Sequence, residues 1–264
     1  MNATAANRHP DNYPRAALVT GAARRIGRAI ALDLARGGWA VAVHHRTSRE
    51  EARAVVARIE AAGGRAVALE ADLARETETE ALIRRATDAL GPVGVLVNNA
   101  SLFEHDTVET ATRESWDRHM EPNVRAPLVL AQAFARALPP EAGGAIVNLL
   151  DQRVWNPTPY FLSYTVSKSA LWTLTRTLAI ALAPRIRVNG IGPGPTLPST
   201  RQSEAQFARQ CAATPLGRGS TPEEICAVVR FILEARSMTG QMIALDGGQH
   251  LGWAQPARSD VSFE

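Results

Sequence analysis

Tyr164 and Lys168 lie four residues apart in the run Tyr164-Thr165-Val166-Ser167-Lys168, and Lys168 is the one lysine among the chain's 29 Lys and Arg residues. Four-residue spacing places two side chains on one face of a helix. A phenol beside an ammonium is a tunable proton donor, because a nearby positive charge favours the phenolate. Unlike the planar guanidinium of Arg, the Lys ammonium is a compact charge with three rotatable donors that can also hold a ligand hydroxyl. The bland alternative is a surface lysine that escaped an arginine-biased composition. These two residues alone do not decide between them.

A second candidate is the run Thr20-Gly21-Ala22-Ala23-Arg24-Arg25-Ile26-Gly27. Small residues between a first strand and a first helix let the backbone approach a pyrophosphate, and the helix start supplies N–H donors. A tight turn without ligand is the alternative. The next strand runs into His44-His45-Arg46-Thr47-Ser48, with no carboxylate before Glu50. A carboxylate there would take ribose hydroxyls. An Arg with two hydroxyls suits a 2′-phosphate instead, and Arg24 and Arg25 add charge. The pattern therefore favours NADP(H) over NAD(H), against the alternative of an ordinary exposed basic turn.

Alternating short apolar runs and longer amphipathic ones must position these residues. Strands are expected over 16–19, 39–44, 66–70, 93–97, 145–150, 187–191 and 242–245. Helices are expected over 25–36, 49–62, 76–90, 113–138, 162–182 and 221–233, with Pro122 and Pro127 bending the fourth. Continuous Val/Ile/Leu strands separated by helices imply an α/β fold with a parallel sheet covered on both faces. At 264 residues, 45% of them hydrophobic, one large core is the simplest count. A single domain is expected over residues 15–253, with 1–14 and 254–264 as loose arms.

The net charge of +3 comes from scattered arginines without a basic run, so no nucleic-acid partner is indicated. Two cysteines, Cys211 and Cys226, make neither a metal pattern nor a disulfide framework and fit a reducing cytoplasm. No apolar window is long enough for a membrane span, and the first residues lack the apolar segment of a secretory signal.

Taken with Asn98-Asn99-Ala100 and Pro193-Gly194, these motifs resemble the short-chain dehydrogenase/reductase family over about residues 15–250. The resemblance implies a single Rossmann-type domain with a doubly wound, seven-stranded parallel sheet, and a homotetramer. It implies Tyr164 as proton donor, and Lys168 as the group that binds the nicotinamide ribose and depresses the phenol pKa. Asn123, in Asn123-x-x-x-Pro127, would hold the water of a proton relay. Gly21, Arg24, Arg25, Ile26 and Gly27 would cradle the phosphates, and His45, Arg46, Thr47 and Ser48 the 2′-phosphate end. Asp72 and Leu73 would meet the adenine, Asn99 and Ala100 the adenosine ribose, and Pro193 and Gly194 the nicotinamide.

Two positions depart from the family pattern. Arg25 stands where a Gly is usual, and Asp151 stands where the catalytic Ser would be, 13 residues before the Tyr. An ionised carboxylate cannot donate to a carbonyl. Both departures are similar to the pteridine reductases and the related dihydromonapterin/dihydrofolate reductases of this fold. That likeness implies an Asp151–Tyr164–Lys168 set, Arg25 near both phosphates and pterin, Phe103 stacking the pterin, and Ser101 bonding to its edge. Trp155, Tyr160, Leu197 and the loop after Pro195 would shape the pocket. The expected activity is NADPH-dependent reduction of a dihydropterin, folate included. Alternatives are a carbonyl or enoyl reductase, or a cofactor-binding protein without chemistry. Taken singly, Phe103 is equally a packing residue and Asp151 equally a helix cap.

Overall fold

The computed structural model describes residues 12–199 and 201–252. Seven parallel strands form one sheet: β1 (Ala16–Val19), β2 (Ala40–His45), β3 (Ala66–Glu70), β4 (Val93–Asn98), β5 (Gly144–Leu149), β6 (Ile186–Pro193) and β7 (Met242–Leu245). Their spatial order is β3-β2-β1-β4-β5-β6-β7. The chain reverses its winding at β1, which leaves a crevice between the carboxyl ends of β1 and β4, where ligands of open α/β sheets bind.

Among the described residues eight helices accompany the sheet: α1 (Arg25–Arg36), α2 (Arg49–Ala61), α3 (Glu76–Leu90), α4 (Arg113–Met120), α5 (Ala126–Ala137), α6 (Leu162–Ala181), α7 (Glu204–Ala212) and α8 (Pro222–Glu234). The pleat sorts the strand residues between two cores. Ala17, Val19, Val41, Val43, Val95 and Val97 join Ile30 and Leu34 of α1, Val55 and Ile59 of α2, and Val229 and Ile232 of α8. Leu18, Ala42, Leu96 and Ile146 join Leu82 and Ile83 of α3, Leu130 and Phe134 of α5, and Leu178 of α6 on the other face. Both faces are thus sealed, as continuous apolar strands require.

The expected elements are present, with strand and helix ends moved by one or two residues. Residues 113–138 form one run with a change of pitch. A π-turn over Glu121–Arg125 separates α4 from α5. In an α-helix the Pro127 ring would strike the carbonyl four residues back, at Asn123, and the wider turn makes room for it. Helix α7 was not expected from the sequence. It buries no side chain, so it carries no apolar stripe, although its Ser203–Gln206 capping box was readable. Of the N-terminal arm expected to be loose, residues 1–11 lie outside the described residues. Tyr13 is anchored, because its hydroxyl accepts from Arg187 Nε at 3.0 Å. The arm at 254–264 also lies outside the described residues.

Candidate active site

The first loop is held by contacts that its small residues permit. Gly21 is left-handed at φ 61°, and a Cβ there would stand 3.0 Å from Ala100 Cα. A Cβ on Gly27 would lie 2.3 Å from the Gly21 carbonyl oxygen and 2.4 Å from Asn99 Nδ2. Asn99 Nδ2 donates to the carbonyls of Thr20 at 2.8 Å and Gly21 at 3.2 Å. Thr20 Oγ1 in turn accepts from the backbone N–H groups of Asn99 and Ala100. Helix α1 begins without a side-chain cap, so its first N–H groups stay available at the crevice.

His44, which the sequence reading passed over, locks this loop from below. Its Nδ1 accepts from the Gly21 N–H at 3.0 Å, and its Nε2 meets the Ala71 carbonyl at 3.1 Å. That pairing needs a neutral imidazole with the proton on Nε2. Burial pushes its pKa down to about 4, with the Ala71 bond opposing, so the lock stays neutral throughout the physiological range.

Tyr164, Asp151 and Lys168 meet at the floor of a cleft of about 650 Å³ between the first loop and the segment after β6. The Tyr164 hydroxyl donates to Asp151 Oδ2 at 2.8 Å. Asp151 Oδ1 accepts from the Arg153 N–H at 2.8 Å and caps a single 3₁₀ turn over Gln152–Val154. Asp151 is thus both a cap and the tyrosine's partner. Lys168 is 3% exposed, and its Nζ donates to the Leu149 carbonyl at 2.7 Å. Burial lowers its pKa to about 8, with Asp151 opposing.

One expectation is reversed here. Lys168 was expected to depress the phenol pKa, yet the phenol is pushed well above its ordinary value by burial, then by the charge and hydrogen bond of Asp151. The ammonium lies 5.8 Å from the ring centroid and spends a donor on Leu149, whereas the carboxylate takes the hydroxyl directly.

The tyrosine is fixed through a second residue that sequence reasoning missed. Phe161, immediately before α6, is left-handed at φ 58°, and α6 has no cap of its own there. Asp106, 2% exposed, supplies one from another loop. Its carbonyl accepts from the Phe161 N–H at 2.8 Å. Its carboxylate accepts from the Ser163 N–H at 3.1 Å and from the Ser163 hydroxyl. His119 Nδ1 closes the group at 2.8 Å from Ser163 Oγ.

Phe103 and Ser101 line the cleft as expected. The Phe103 ring stacks on Phe161 at 4.3 Å and meets Tyr164 edge-on at 4.6 Å. Arg201 sits 5.4 Å from the Phe103 centroid and donates to the Phe103 carbonyl at 2.9 Å. Arg25 is left-handed at φ 52°, at the position where the family carries Gly. Its guanidinium donates to the carbonyls of Pro198 at 2.8 Å and Leu197 at 3.1 Å, which straps the loop after Pro195 over the cleft. Pro193, Gly194 and Leu197 line the same cleft. Trp155 instead packs against His250, and Tyr160 against His105.

Asn123 does not face the cleft with its side chain. It is 1% exposed, accepting from the Leu102 N–H and Ser101 Oγ and donating to the Leu102 carbonyl and Ser167 Oγ. Its amide therefore staples the Phe103 loop to α6. At the far end, Arg46 and Thr47 are exposed beyond β2. Ser48 accepts from Arg24, whose Nε also pairs with Glu51 at 3.2 Å. His45 is buried at 4% exposure. Asp72 spends one carboxylate oxygen on the Ala74 N–H, and Leu73 is packed in the core.

A parallel sheet of this order, a glycine-bearing first loop and a Tyr–Lys pair on α6 together define a short-chain dehydrogenase/reductase. A family model described as enoyl-(acyl carrier protein) reductase matches residues 21–250, and the chain belongs to that short-chain oxidoreductase family. It is similar to the crystal structure of FolM alternative dihydrofolate reductase 1 from Brucella suis in complex with NADP, at 52% identity and a TM-score of 0.89, covering 93% of this chain and 98% of that one. An uncharacterised oxidoreductase of Methylorubrum extorquens is 37% identical, covering 89% of this chain and 97% of the relative. A short-chain type dehydrogenase/reductase of Picea abies is 31% identical, covering 89% and 92%. Among the described residues no helix is long and apolar enough to cross a membrane.

Proposed function

We propose that the protein is an NADPH-dependent reductase of dihydropterin-type substrates, dihydrofolate included. The observation that carries this reading is the 2.8 Å bond from the Tyr164 hydroxyl to Asp151, at the position where a ketone reductase of this family would present a Ser hydroxyl. Both Asp151 oxygens accept hydrogen bonds, so this residue offers a carbonyl substrate no donor. The likeness to a dihydrofolate reductase solved with NADP supports the same substrate class and cofactor.

The residues present fit a dinucleotide. Gly21 and Gly27 put no side chain of their own between the first loop and Asn99-Ala100, α1 offers uncapped N–H groups, and two of the three Lys168 donors remain beyond the Leu149 bond. Arg46, Thr47 and Ser48 would meet a 2′-phosphate, with Arg24 at hand. The cofactor supplies a hydride when bound. The protein's own part is to hold a proton, orient the acceptor and exclude water.

Tyr164 holds that proton on Oη, because burial and Asp151 keep the phenol neutral. Asp151 aims the hydroxyl and gives a route for replacing the proton once it is donated to a substrate nitrogen. Phe103 offers a flat wall to a pterin, Ser101 a hydrogen-bonding edge, and the Arg25-strapped loop a cover. The same reading carries a homotetramer, whose interfaces would cover apolar α6 residues such as Ile180, 82% exposed. It also carries a cytoplasmic setting for the free thiols of Cys211 and Cys226.

The test is NADPH oxidation with dihydropterin, dihydrofolate and simple carbonyl acceptors, with NADH in parallel. Pterin-dependent turnover that prefers NADPH is expected. Turnover with carbonyl acceptors alone would demote Asp151 and Phe103 to pocket residues and leave a carbonyl or enoyl reductase.

A further inference from the structure

A second groove, of about 1180 Å³, runs along the outer side of α1, and seven arginines line it against two carboxylates, Asp33 and Glu223. On α1, Arg25, Arg28, Leu32 and Arg36 follow helical spacing down one face, a run of about 16 Å at 1.5 Å per residue. Arg58 flanks it from the last turn of α2, Arg65 from the residue before β3, and Arg230 from α8. Asp33 is already shared between Arg36, at 3.2 Å, and Arg230. Arg28, Arg58 and Arg65 are exposed, and their guanidinium groups have no hydrogen bond or ion pair among the described residues. Like charges held together this way favour an anion with several charged groups.

The groove is not separate from the cleft. Arg25 and Leu197 stand in the walls of both. They are joined by the bond from Arg25 to the Leu197 carbonyl at 3.1 Å. A ligand with its reactive ring beside Tyr164 would pass over this threshold into a channel of arginines. An unrelated polyanion would have no need of that continuity.

We infer that this groove seats a chain of carboxylates attached to the substrate, so that the preferred substrate is a dihydrofolate carrying several γ-linked glutamates rather than a bare dihydropterin. This rests on the pterin reading above. The tail adds affinity because the ring tethers it, raising its effective concentration at the groove. Three exposed pairs of modest individual strength give about a tenfold gain together, and salt should screen it.

The experiment compares KM for dihydropterin, dihydrofolate monoglutamate and dihydrofolate pentaglutamate, in the full-length protein and in a triple variant with Arg28→Glu, Arg58→Glu and Arg65→Glu. KM for the pentaglutamate is expected about tenfold below that for the monoglutamate at low ionic strength. The advantage should vanish in the triple variant and in high salt, while dihydropterin kcat/KM stays unchanged. If pterins are reduced but chain length has no effect on KM, the groove assignment falls and the pterin reading stands. If no pterin is reduced, calorimetric titration of the NADP-loaded protein with the mono- and pentaglutamates decides, and equal or absent binding overturns the assignment. Should the triple variant fail to fold, the salt dependence of the wild-type chain-length effect gives the same answer. A salt-insensitive preference, or none, refutes it.

Discussion

Replacing Lys168 with methionine should change how stability depends on pH, as well as abolishing turnover. The ammonium is 3% exposed, and burial takes its pKa from 10.5 to about 8. That difference corresponds to a cost of about 3 kcal/mol for carrying the charge in the fold at pH 7. The hydrogen bond to Leu149 at 2.7 Å holds the ammonium in place. The unfolded chain keeps this proton up to pH 10.5, whereas the fold releases it near 8. Between those values the unfolded state binds more protons, so this group's contribution to stability rises with pH, and the penalty is complete below about pH 8. From pH 7 to 9.5, about 2 kcal/mol of the penalty should be relieved in the wild type and none in the methionine variant. Chemical denaturation of both proteins across that range, at fixed protein concentration, measures the difference directly. Other titrating groups cancel in the comparison. Stability curves that run parallel from pH 7 to 9.5 would refute the depressed lysine.

Asp151→Ser should lower dihydropterin turnover by about two orders of magnitude and leave the NADPH dissociation constant within about twofold, read by steady-state kinetics and fluorescence titration; equal turnover would remove Asp151 from the proton path. Lys168→Arg should abolish activity although the charge is kept, because a guanidinium cannot reproduce the compact ammonium packed beneath Leu149. Near-normal rates would contradict this. Arg25→Gly relieves a left-handed arginine at φ 52°, a gain of about 1 kcal/mol, but cuts the strap to Leu197 and Pro198. It should raise substrate KM with little change in melting temperature. Asp106→Asn should cost about 2–3 kcal/mol of stability and lower kcat about tenfold without moving the NADPH KM. An equal loss in both constants would make Asp106 merely structural.

What the sequence disclosed was what repeats along the chain or sits at short spacing. The alternation of Val/Ile/Leu runs with amphipathic stretches gave the parallel sheet, and Tyr164 with Lys168 announced a shared helix face. Helix α7 escaped because all of its residues keep some exposure, so periodicity had nothing to register. His44 and Asp106 escaped for a different reason. His44 works on Gly21, 23 residues away, and Asp106 on Ser163, 57 residues away. Neither pairing leaves a trace in local spacing. Asn123 was noticed for the right segment, but its side chain turns to Leu102 and Ser167, which only the packing of the π-turn over Glu121–Arg125 against α6 reveals.

The reversed phenol pKa follows from distances that no spacing rule contains. Sequence places Lys168 one helical turn from Tyr164, which suggests a cation acting on the phenol. The fold carries Asp151 in from the end of β5 and puts its carboxylate 2.8 Å from the hydroxyl, while the ammonium is drawn to Leu149. In a site this buried, the nearer charge dominates. The direction matters for chemistry. A depressed phenol pKa would favour a phenolate, which accepts a proton and so serves oxidation of an alcohol or amine. Held by burial and a carboxylate, the phenol stays protonated but is a weaker acid than free tyrosine, so it can donate only once a bound acceptor brings the proton affinities closer together. The Ser-to-Asp departure therefore does more than remove a donor to a carbonyl. It also gives the tyrosine hydroxyl a fixed acceptor and so a fixed orientation in the cleft.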